Sequence, residues 1–255
     1  MLLYDSAFSP FARKIRLVLD TKGLEYEVVD GLARKNRDAL ASVNGRVEVP
    51  ALVDDGLVVI NSSDIVAYLE RRYPDNPVYP ADTKQWVRAR AWERCSDTVV
   101  DPIIIDVSYW LWAERDDSMP AGLFEAARVD LVHVYEALER DLAVGPFVAG
   151  PLSIADLALF PHMTAVRTLN LGFDAERFPR LYAWYKTMRT LPACIRDLER
   201  TKALLADPAA QDIERHKIFW RGDRIEWLLA RGYDAWFMRE IEAKRVIWPG
   251  LAIPG

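Results

Sequence analysis

Ser9 is the residue of this chain whose type and position point most directly to chemistry. It precedes Pro10 at the predicted start of a helix, where unpaired N–H groups and the helix dipole favour negative charge. A hydroxyl group there can donate a hydrogen bond to a thiolate and so lower the pKa of the thiol. The alternative is that Ser9 only caps the helix, which is the commoner role of a serine before a proline. Ser6 offers a second hydroxyl group nearby.

Two later segments carry backbone and side-chain groups that could bind a peptide. Val49-Pro50 opens a predicted strand, where proline removes a donor from the ladder. A cis bond there would expose the backbone N–H and C=O of Val49 to an extended peptide, whereas a trans proline at a strand edge is the alternative. Asn61-Ser62 begins the next predicted helix, and its amide, hydroxyl and helix N–H groups suit a carboxylate. Plain capping is again the alternative.

These segments are positioned by residues 1–75, whose strand and helix signals alternate in the order β-α-β-α-β-β-α and predict a compact α/β unit. The predicted strands are Leu2–Tyr4, Tyr26–Val29, Val49–Val53 and Leu57–Ile60. The predicted helices run from Pro10 to the residue before Gly23, over Arg34–Val43, and from Ser62 or Ser63 to Tyr73. Residues 76–82 follow Pro74 and contain further prolines, which predicts a linker.

No strand signal follows the linker, and residues 83–200 are predicted to form an all-helical domain. Its helices are expected at Thr83–Glu114, Leu123–Leu142, Ile154–Leu171 and Phe178–Arg189, with another beginning at Leu191-Pro192. Ser153 and Asp156 form a capping box. Residues 201–255 are predicted to be a helical extension, with helices at Arg224–Arg231 and Ala235–Lys244 that are capped by Asp223 and Asp234.

The composition argues against several classes of function. The net charge of −5 over 255 residues argues against a general nucleic-acid binder. The two cysteines, Cys95 and Cys194, lack C-x-x-C spacing, and the three isolated histidines form no metal-ligand pattern. The sequence shows no signal peptide and no apolar run that approaches about 18 residues. We therefore expect a cytoplasmic protein without a metal site or a membrane span.

Four motifs together resemble the cytosolic glutathione transferases over residues 1–200. Ser9-Pro10-Phe11-Ala12 followed by Arg16-Leu17 is similar to the first-helix motif of the omega and tau classes. The other three motifs are Asn44 with Val49-Pro50-Ala51-Leu52, the segment Asn61-Ser62-Ser63-Asp64-Ile65, and Gly150 with Ser153-Ile154-Ala155-Asp156. Each motif is weak alone, but their order and their spacing across two domains make the set specific.

The resemblance implies an N-terminal thioredoxin-like domain that binds glutathione and a C-terminal helical-bundle domain that completes a pocket for an electrophile. Ser9 would stabilise the thiolate, the backbone of Val49 would pair with the cysteinyl part of glutathione, and Ser62 and Asn61 would hold the γ-glutamyl carboxylate. The residues expected at the glutathione site are Phe11, Glu48, Val49, Pro50, Asn61 and Ser62, and those expected at the electrophile pocket are Tyr109 and Trp112. Glutathione would be the co-substrate of a homodimer that needs no metal and has neither nucleic acid nor membrane as a partner.

The resemblance leaves the reaction open. The thiolate could serve conjugation, dehalogenation, ether cleavage or isomerisation of a small apolar electrophile. Serine at position 9, where the omega class has cysteine, favours conjugation over thiol transfer, because serine forms no mixed disulfide. The alternative function is a non-catalytic protein of the same fold that binds or regulates a partner through residues 201–255.

Overall fold

The computed structural model describes residues 1–112, 119–206, 218–219 and 221–247. These residues divide into two compact units. Unit 1 contains residues 1–86 and 187–206, and unit 2 contains residues 87–112, 119–186, 218–219 and 221–247. Residues 187–206 thus belong with the N-terminal unit, whereas the sequence analysis groups them with residues 83–200, and the domain boundaries given there stay a prediction.

Unit 1 is built on a mixed sheet whose strands are β1 (Leu2–Asp5), β2 (Glu27–Asp30), β3 (Ala51–Asp54) and β4 (Leu57–Ile60). The strand order is β2-β1-β3-β4, with β1 parallel to β2 and antiparallel to β3. Tyr4 of β1 lies opposite Ala51 of β3, and Ala51 lies opposite Ile60 of β4. The end of β1, the start of β3 and the end of β4 therefore meet at one end of the sheet.

The helices of the described residues follow the predicted order. They are α1 (Pro10–Lys22), α2 (Arg37–Asn44), α3 (Ser62–Arg72), α4 (Thr83–Cys95), α5 (Asp101–Trp112), α6 (Leu123–Asp141), α7 (Ile154–Thr168), α8 (Pro179–Met188), α9 (Pro192–Leu205), α10 (Gly222–Ala230) and α11 (Asp234–Glu242). Two short strands, β5 (Ile218–Phe219) and β6 (Val246–Ile247), pair in parallel. The predicted α/β unit followed by helices is confirmed, but β5 and β6 are strands in the extension, which is predicted to be helical. Within the described ranges, no helix combines the length and the apolar character that crossing a bilayer requires.

The helix α1 begins and ends as predicted. The backbone of Ser9 is extended (φ −92°, ψ 115°), which is the usual conformation of an N-cap residue. Gly23 ends the helix in the left-handed region at φ 72°, where a side chain would be strained. Ile15 and Val18 are fully buried, which confirms the helical spacing of the apolar residues.

The long helix predicted over Thr83–Glu114 is interrupted. A π-helical turn over Ser96–Val100 separates α4 from α5. Ser96 is fully buried and donates a hydrogen bond to the carbonyl oxygen of Ala158 on α7 (3.0 Å). Glu114 lies outside the described residues.

The capping box at the start of α7 is confirmed and extends further than predicted. The fully buried carboxylate of Asp156 accepts hydrogen bonds from the N–H and hydroxyl groups of Ser153 (3.0 and 3.2 Å), from the Val148 N–H (3.0 Å) and from the indole N–H of Trp184 (2.8 Å). Burial raises the pKa of Asp156 to about 6, although these hydrogen bonds oppose the shift. One carboxylate therefore joins α7, α8 and the preceding loop.

The described part of the extension belongs to unit 2. The guanidinium of Arg224 on α10 donates to the buried carboxylate of Asp101 on α5 (3.0 Å). Burial would raise the pKa of Asp101, but Arg224 and His162 together outweigh burial and hold that pKa below its ordinary value. Trp227 and Arg231, also on or next to α10, both donate to Asp130 on α6.

Both predicted caps in the extension are wrong. The N-cap of α10 is Arg221, and Asp223 lies inside the helix, where its carboxylate accepts hydrogen bonds from the Arg221 guanidinium (3.2 and 3.1 Å). The N-cap of α11 is Tyr233, and Asp234 is the first helical residue. An acidic residue in the first helical turn still interacts favourably with the helix dipole, so the same residue type suits both positions.

Candidate functional site

The hydroxyl group of Ser9 lies half-buried at the N-terminus of α1. Its oxygen accepts a hydrogen bond from the Ala12 N–H (3.3 Å), and its backbone N–H donates to the carbonyl oxygen of Ser6 (3.0 Å). A hydroxyl oxygen that accepts one hydrogen bond keeps its own hydrogen for donation. Ser9 therefore caps α1 and can still donate to an anion, so its two predicted roles are compatible. The alternative hydroxyl group belongs to Ser6, which is only 1% exposed.

A buried network of charges holds α1 in place. The guanidinium of Arg13 donates to Asp197 on α9 (Nη2–Oδ2 2.7 Å), and that of Arg16 bridges Asp197 (2.9 Å) and Asp5 at the end of β1 (2.8 Å). These side chains are at most 8% exposed. Burial raises the pKa of Asp5, and the neighbouring Arg16 opposes that shift. The network pairs two cations with two anions, which is the arrangement that makes buried charge tolerable.

Val49 and Pro50 lie at the start of β3, and the peptide bond between them is cis, which confirms the first of the two predicted possibilities. The loop after β2 packs closely against Val49. A Cβ atom on Gly31 would come within 3.0 Å of both Val49 Cγ1 and Leu40 Cδ2, so only glycine fits there without a shift of its neighbours. The Gly31 N–H also donates to the Asp5 carbonyl oxygen (2.8 Å), which ties this loop to the end of β1.

Glu48 precedes this pair and is held from two sides. The side-chain amide of the buried Asn44 donates to the Glu48 carbonyl oxygen (2.6 Å). The Glu48 carboxylate forms an ion pair with Arg46 (3.3 Å). The first contact explains why asparagine at the end of α2 accompanies the Val-Pro pair: it fixes the backbone that leads into β3.

Asn61 and Ser62 lie at the start of α3. Asn61 has a positive φ (64°, with ψ 126°), which is uncommon for a residue other than glycine. Its exposed side-chain amide donates to the Asp64 carboxylate (3.1 Å) and makes no capping bond to the helix. Ser62 is the first residue of α3 and is 7% exposed. Asp64 already places a carboxylate in the first turn of α3, and the role of Asn61 and Ser62 as a site for the carboxylate of a ligand stays a prediction.

The three predicted aromatic residues differ in their environments. Phe11 on α1 is half-buried, with the Lys14 ammonium 5.8 Å from its ring centroid. Tyr109 on α5 is 2% exposed, and its ring centroid lies 6.4 Å from that of Trp236 on α11. Trp112 is the last residue of α5, and its side chain lies outside the described part of the structure. The role of Tyr109 and Trp112 at an electrophile pocket stays a prediction.

The register of the sheet brings the predicted glutathione residues of unit 1 to one end. Pro50 directly precedes Ala51, Asn61 directly follows Ile60, and these two strand residues are Cα partners. The loop that leads to Ser9 leaves β1 at the same end, because Tyr4 is the other partner of Ala51. The N-terminus of α1 with its hydroxyl group, the Val49-Pro50 segment and the N-terminus of α3 therefore lie at the same end of the sheet.

Sequence reasoning missed the charges that anchor this site. Asp5, Arg13 and Asp197 carry no local signal of burial, because basic residues in a helix usually face water. The partner Asp197 is 184 residues from Arg13 in the sequence. The one available signal was the presence of four basic residues and a single acidic one in α1, which leaves cations that need partners elsewhere.

Comparison with known proteins identifies both parts of the chain. Residues 3–77 match a family model described as "Glutathione S-transferase, N-terminal domain", and residues 120–187 match one described as "Glutathione S-transferase, C-terminal domain". Together these matches span more than half of the chain.

Individual relatives and structures are similar over most of their own length. A probable maleylacetoacetate isomerase of Caenorhabditis elegans is 26% identical over 76% of this chain and 91% of that protein. Glutathione S-transferase Z2 of Arabidopsis thaliana is 29% identical over 75% of this chain and 87% of that protein. A solved bacterial maleyl pyruvate isomerase, described as a zeta-class glutathione S-transferase, aligns with a TM-score of 0.66 at 26% identity and covers 77% of this chain and 96% of that chain. The predicted thioredoxin-like domain followed by a helical domain is confirmed.

Proposed function

Because this chain belongs to the glutathione S-transferase family, we propose that it binds glutathione in unit 1 and uses Ser9 to activate the thiol for attack on a small apolar electrophile. The observation that carries this proposal is the Ser9 hydroxyl group, which caps α1 and keeps its hydrogen for donation. Membership of the family makes the chain a glutathione transferase. The residue roles, the reaction and the assembly are what we propose.

The Ser9 hydroxyl group and the positive end of the α1 dipole both favour the thiolate over the thiol. The thiol loses its proton to solvent, and the sulfur anion accepts the hydrogen bond from Ser9. Together these effects lower the thiol pKa by about one to two units from about 8.5. At pH 7 the thiolate fraction rises from about 3% to between about one quarter and three quarters.

The rest of the tripeptide is held by the neighbouring elements. The backbone N–H and C=O of Val49 pair with the cysteinyl part of glutathione, in the manner of an added strand. The N-terminus of α3, with Asn61 and Ser62, receives the γ-glutamyl carboxylate. Phe11, Glu48 and Pro50 border this bound peptide. The sheet register supports the proposal for Pro50 and Asn61, because Pro50 precedes Ala51, Asn61 follows Ile60, and Ala51 and Ile60 are partners.

In conjugation, the thiolate forms a carbon–sulfur bond and the leaving group departs with its electron pair. Isomerisation is a second candidate, because two of the similar proteins are named as isomerases. In that reaction the thiolate adds to a carbon–carbon double bond, the resulting single bond rotates, and the sulfur leaves again with its electron pair. Both reactions use the same Ser9 and need no metal. The protein acts as a cytoplasmic homodimer.

The experiment that tests the proposal has two parts. The purified protein should be retained on immobilised glutathione, and it should turn over 1-chloro-2,4-dinitrobenzene or isomerise maleylacetoacetate in the presence of glutathione. Ser9→Ala should lower kcat by about tenfold or more at neutral pH, because the thiolate fraction falls. Ser42→Ala, at an exposed serine on α2, is the matched control and should leave turnover unchanged. Failure of retention together with absence of both activities contradicts the proposal, and equal turnover of the two variants contradicts the role of Ser9.

A further inference from the structure

The helix α10 of the extension packs against α5 and against the π-helical turn that precedes α5. Polar contacts join these elements at two points. The Arg224 guanidinium donates to the Asp101 carboxylate (3.0 and 3.4 Å), and the Arg221 guanidinium donates to the carbonyl oxygen of Asp97 in the π-helical turn (3.3 Å). Residues 221–247 are therefore attached to unit 2 through a surface that contains buried charge.

Asp106 of α5 places a further carboxyl group at this surface, close enough to Arg224 and Asp223 of α10 to interact with both electrostatically. It is 4% exposed, and its Oδ2 atom accepts no hydrogen bond from any residue that the structure describes. A carboxylate buried in this way loses its hydration and gains no hydrogen bond at that oxygen in return. Protonation removes the charge, so Asp106 is expected to be a neutral acid while α10 covers it.

The charged groups around Asp106 favour the neutral acid as well. Arg224 is the cation that acts on it, but the guanidinium of Arg224 is already engaged by Asp101. Asp101 and Asp223 are carboxylates that repel a second negative charge, and His162 on α7 contacts Asp101 (Nε2–Oδ1 3.6 Å). Burial raises the pKa of Asp106 well above its ordinary value, Arg224 opposes the shift, and the two carboxylates add to it.

We propose that Asp106 makes the attachment of α10 to α5 depend on pH, so that loss of its proton favours release of residues 221–247 from α5. In the closed form α10 covers Asp106, whereas in the open form the Asp106 carboxyl group is hydrated. This inference concerns the extension alone. It does not depend on glutathione binding or on the role of Ser9.

Proton binding fixes the direction of the effect. Asp106 contributes fully to closure below its ordinary pKa of 3.8, and the contribution declines as the pH rises towards the raised pKa of the closed form. One proton changes the equilibrium by no more than about tenfold per pH unit. The ion pair between Arg224 and Asp101 does not supply this dependence near neutral pH, because the pKa of Asp101 is held below its ordinary value.

Release would also change which aromatic residues are covered. Tyr109 on α5 is buried, and its ring lies against that of Trp236 on α11, which follows α10 in the extension. The state of this surface therefore decides whether the aromatic side of α5 is accessible.

Hydrogen–deuterium exchange of the full chain at pH 5 and pH 7, followed by mass spectrometry, tests the proposal. After correction for the intrinsic exchange rates, peptides from α10 should open more readily at pH 7 by at least about threefold, and by no more than the linkage limit of about a hundredfold. Peptides from α7 report the opening of unit 2 as a whole and should change less.

Variants of Asp106 assign the titrating group. Asp106→Asn has the shape of the neutral acid and cannot ionise, so the exchange of α10 should be independent of pH and slower than in the wild type at pH 7. Asp106→Leu should give the same pH independence without any polar group. Asp130→Asn is the matched control, because the Asp130 carboxylate on α6 accepts hydrogen bonds from Trp227 and Arg231 at the same extension. It should speed the exchange of α10 at both pH values and keep the dependence on pH.

Three results would overturn the proposal. The first is a change of less than about threefold in the opening of α10 between pH 5 and pH 7 in the wild type. The second is an equal change in α7, which would mean that unit 2 opens as a whole. The third is an unaltered pH dependence in both Asp106 variants, which would assign the titration to another group such as His162.

Discussion

Replacing Asp197 by alanine should destabilise the protein by about 3 kcal/mol, because this carboxylate neutralises two buried arginines on the helix that carries Ser9. Asp197 is fully buried and contacts Arg13 through Oδ2 (2.7 Å) and Arg16 through Oδ1 (2.9 Å). Without it, the two guanidinium groups remain buried with only one carboxylate, that of Asp5, in the network.

The magnitude follows from what each arginine keeps. Removing one partner of a buried ion pair typically costs about 3–5 kcal/mol, since the remaining charge is left desolvated. Arg16 keeps its contact with Asp5 (2.8 Å), so its loss is partial. Arg13 loses its hydrogen bonds to Asp197 from Nε (3.1 and 3.4 Å) and from Nη2 (2.7 Å), so it carries the larger share of the loss. The lower end of the range is therefore expected.

Urea denaturation followed by circular dichroism measures this loss, with the m-value compared between variants. Glu125→Ala is the matched control, because Glu125 pairs with Arg128 on an exposed face of α6 and its removal should change stability by no more than about 0.5 kcal/mol. A double-mutant cycle with Arg13→Ala should give a coupling energy of at least about 1 kcal/mol. A loss below about 1 kcal/mol for Asp197→Ala, or additive effects in the cycle, would refute the idea that this network anchors α1.

Three further predictions follow from the same contacts. Ser62→Ala should raise the KM for glutathione by about tenfold and leave kcat little changed, because the lost contact is to the γ-glutamyl carboxylate, which does not react. An unchanged KM would argue against a carboxylate site at α3. The pKa of Asp156 is about 6 in the folded protein against 3.8 in the unfolded chain, so the folded protein retains a proton between these values and its stability falls as the pH rises from about 4 to about 6. Asp156→Asn should flatten this decline in denaturation midpoints, and an unchanged pH profile would contradict it. Arg224→Met should make residues 221–247 more susceptible to cleavage by thermolysin, because it removes the ion pair between α10 and Asp101. The control variant Arg239→Met, at an exposed position, should not increase cleavage. Equal cleavage rates of the two variants would show that the ion pair does not hold α10.

The sequence predicted the features that local chemistry decides. The N-cap of α1 at Ser9 and its end at Gly23 each depend on residues within a few positions of one another. Once the strand order is known, these local signals also imply that the residues of the candidate site lie at one end of the sheet. The capping box at Ser153 and Asp156 was recognised for the same reason.

The features that the sequence did not reveal join distant residues. Asp156 also accepts from Trp184, 28 residues away, and Asp101 pairs with Arg224, 123 residues away. A single sequence gives no sign of which charges meet across such separations. The wrong caps at Asp223 and Asp234 have a different cause: an acidic residue favours both the cap and the first turn, so the residue type alone does not decide between the two positions.

The most direct test of the central claim is the ionisation of the glutathione thiol on the enzyme. Titration of the thiolate absorbance in the ultraviolet, with glutathione bound to the wild-type chain and to Ser9→Ala, gives the two pKa values. The account predicts a wild-type pKa about one to two units below 8.5 and a shift back towards 8.5 by at least about one unit in Ser9→Ala. Equal pKa values in the two proteins, with glutathione bound to both, would contradict it.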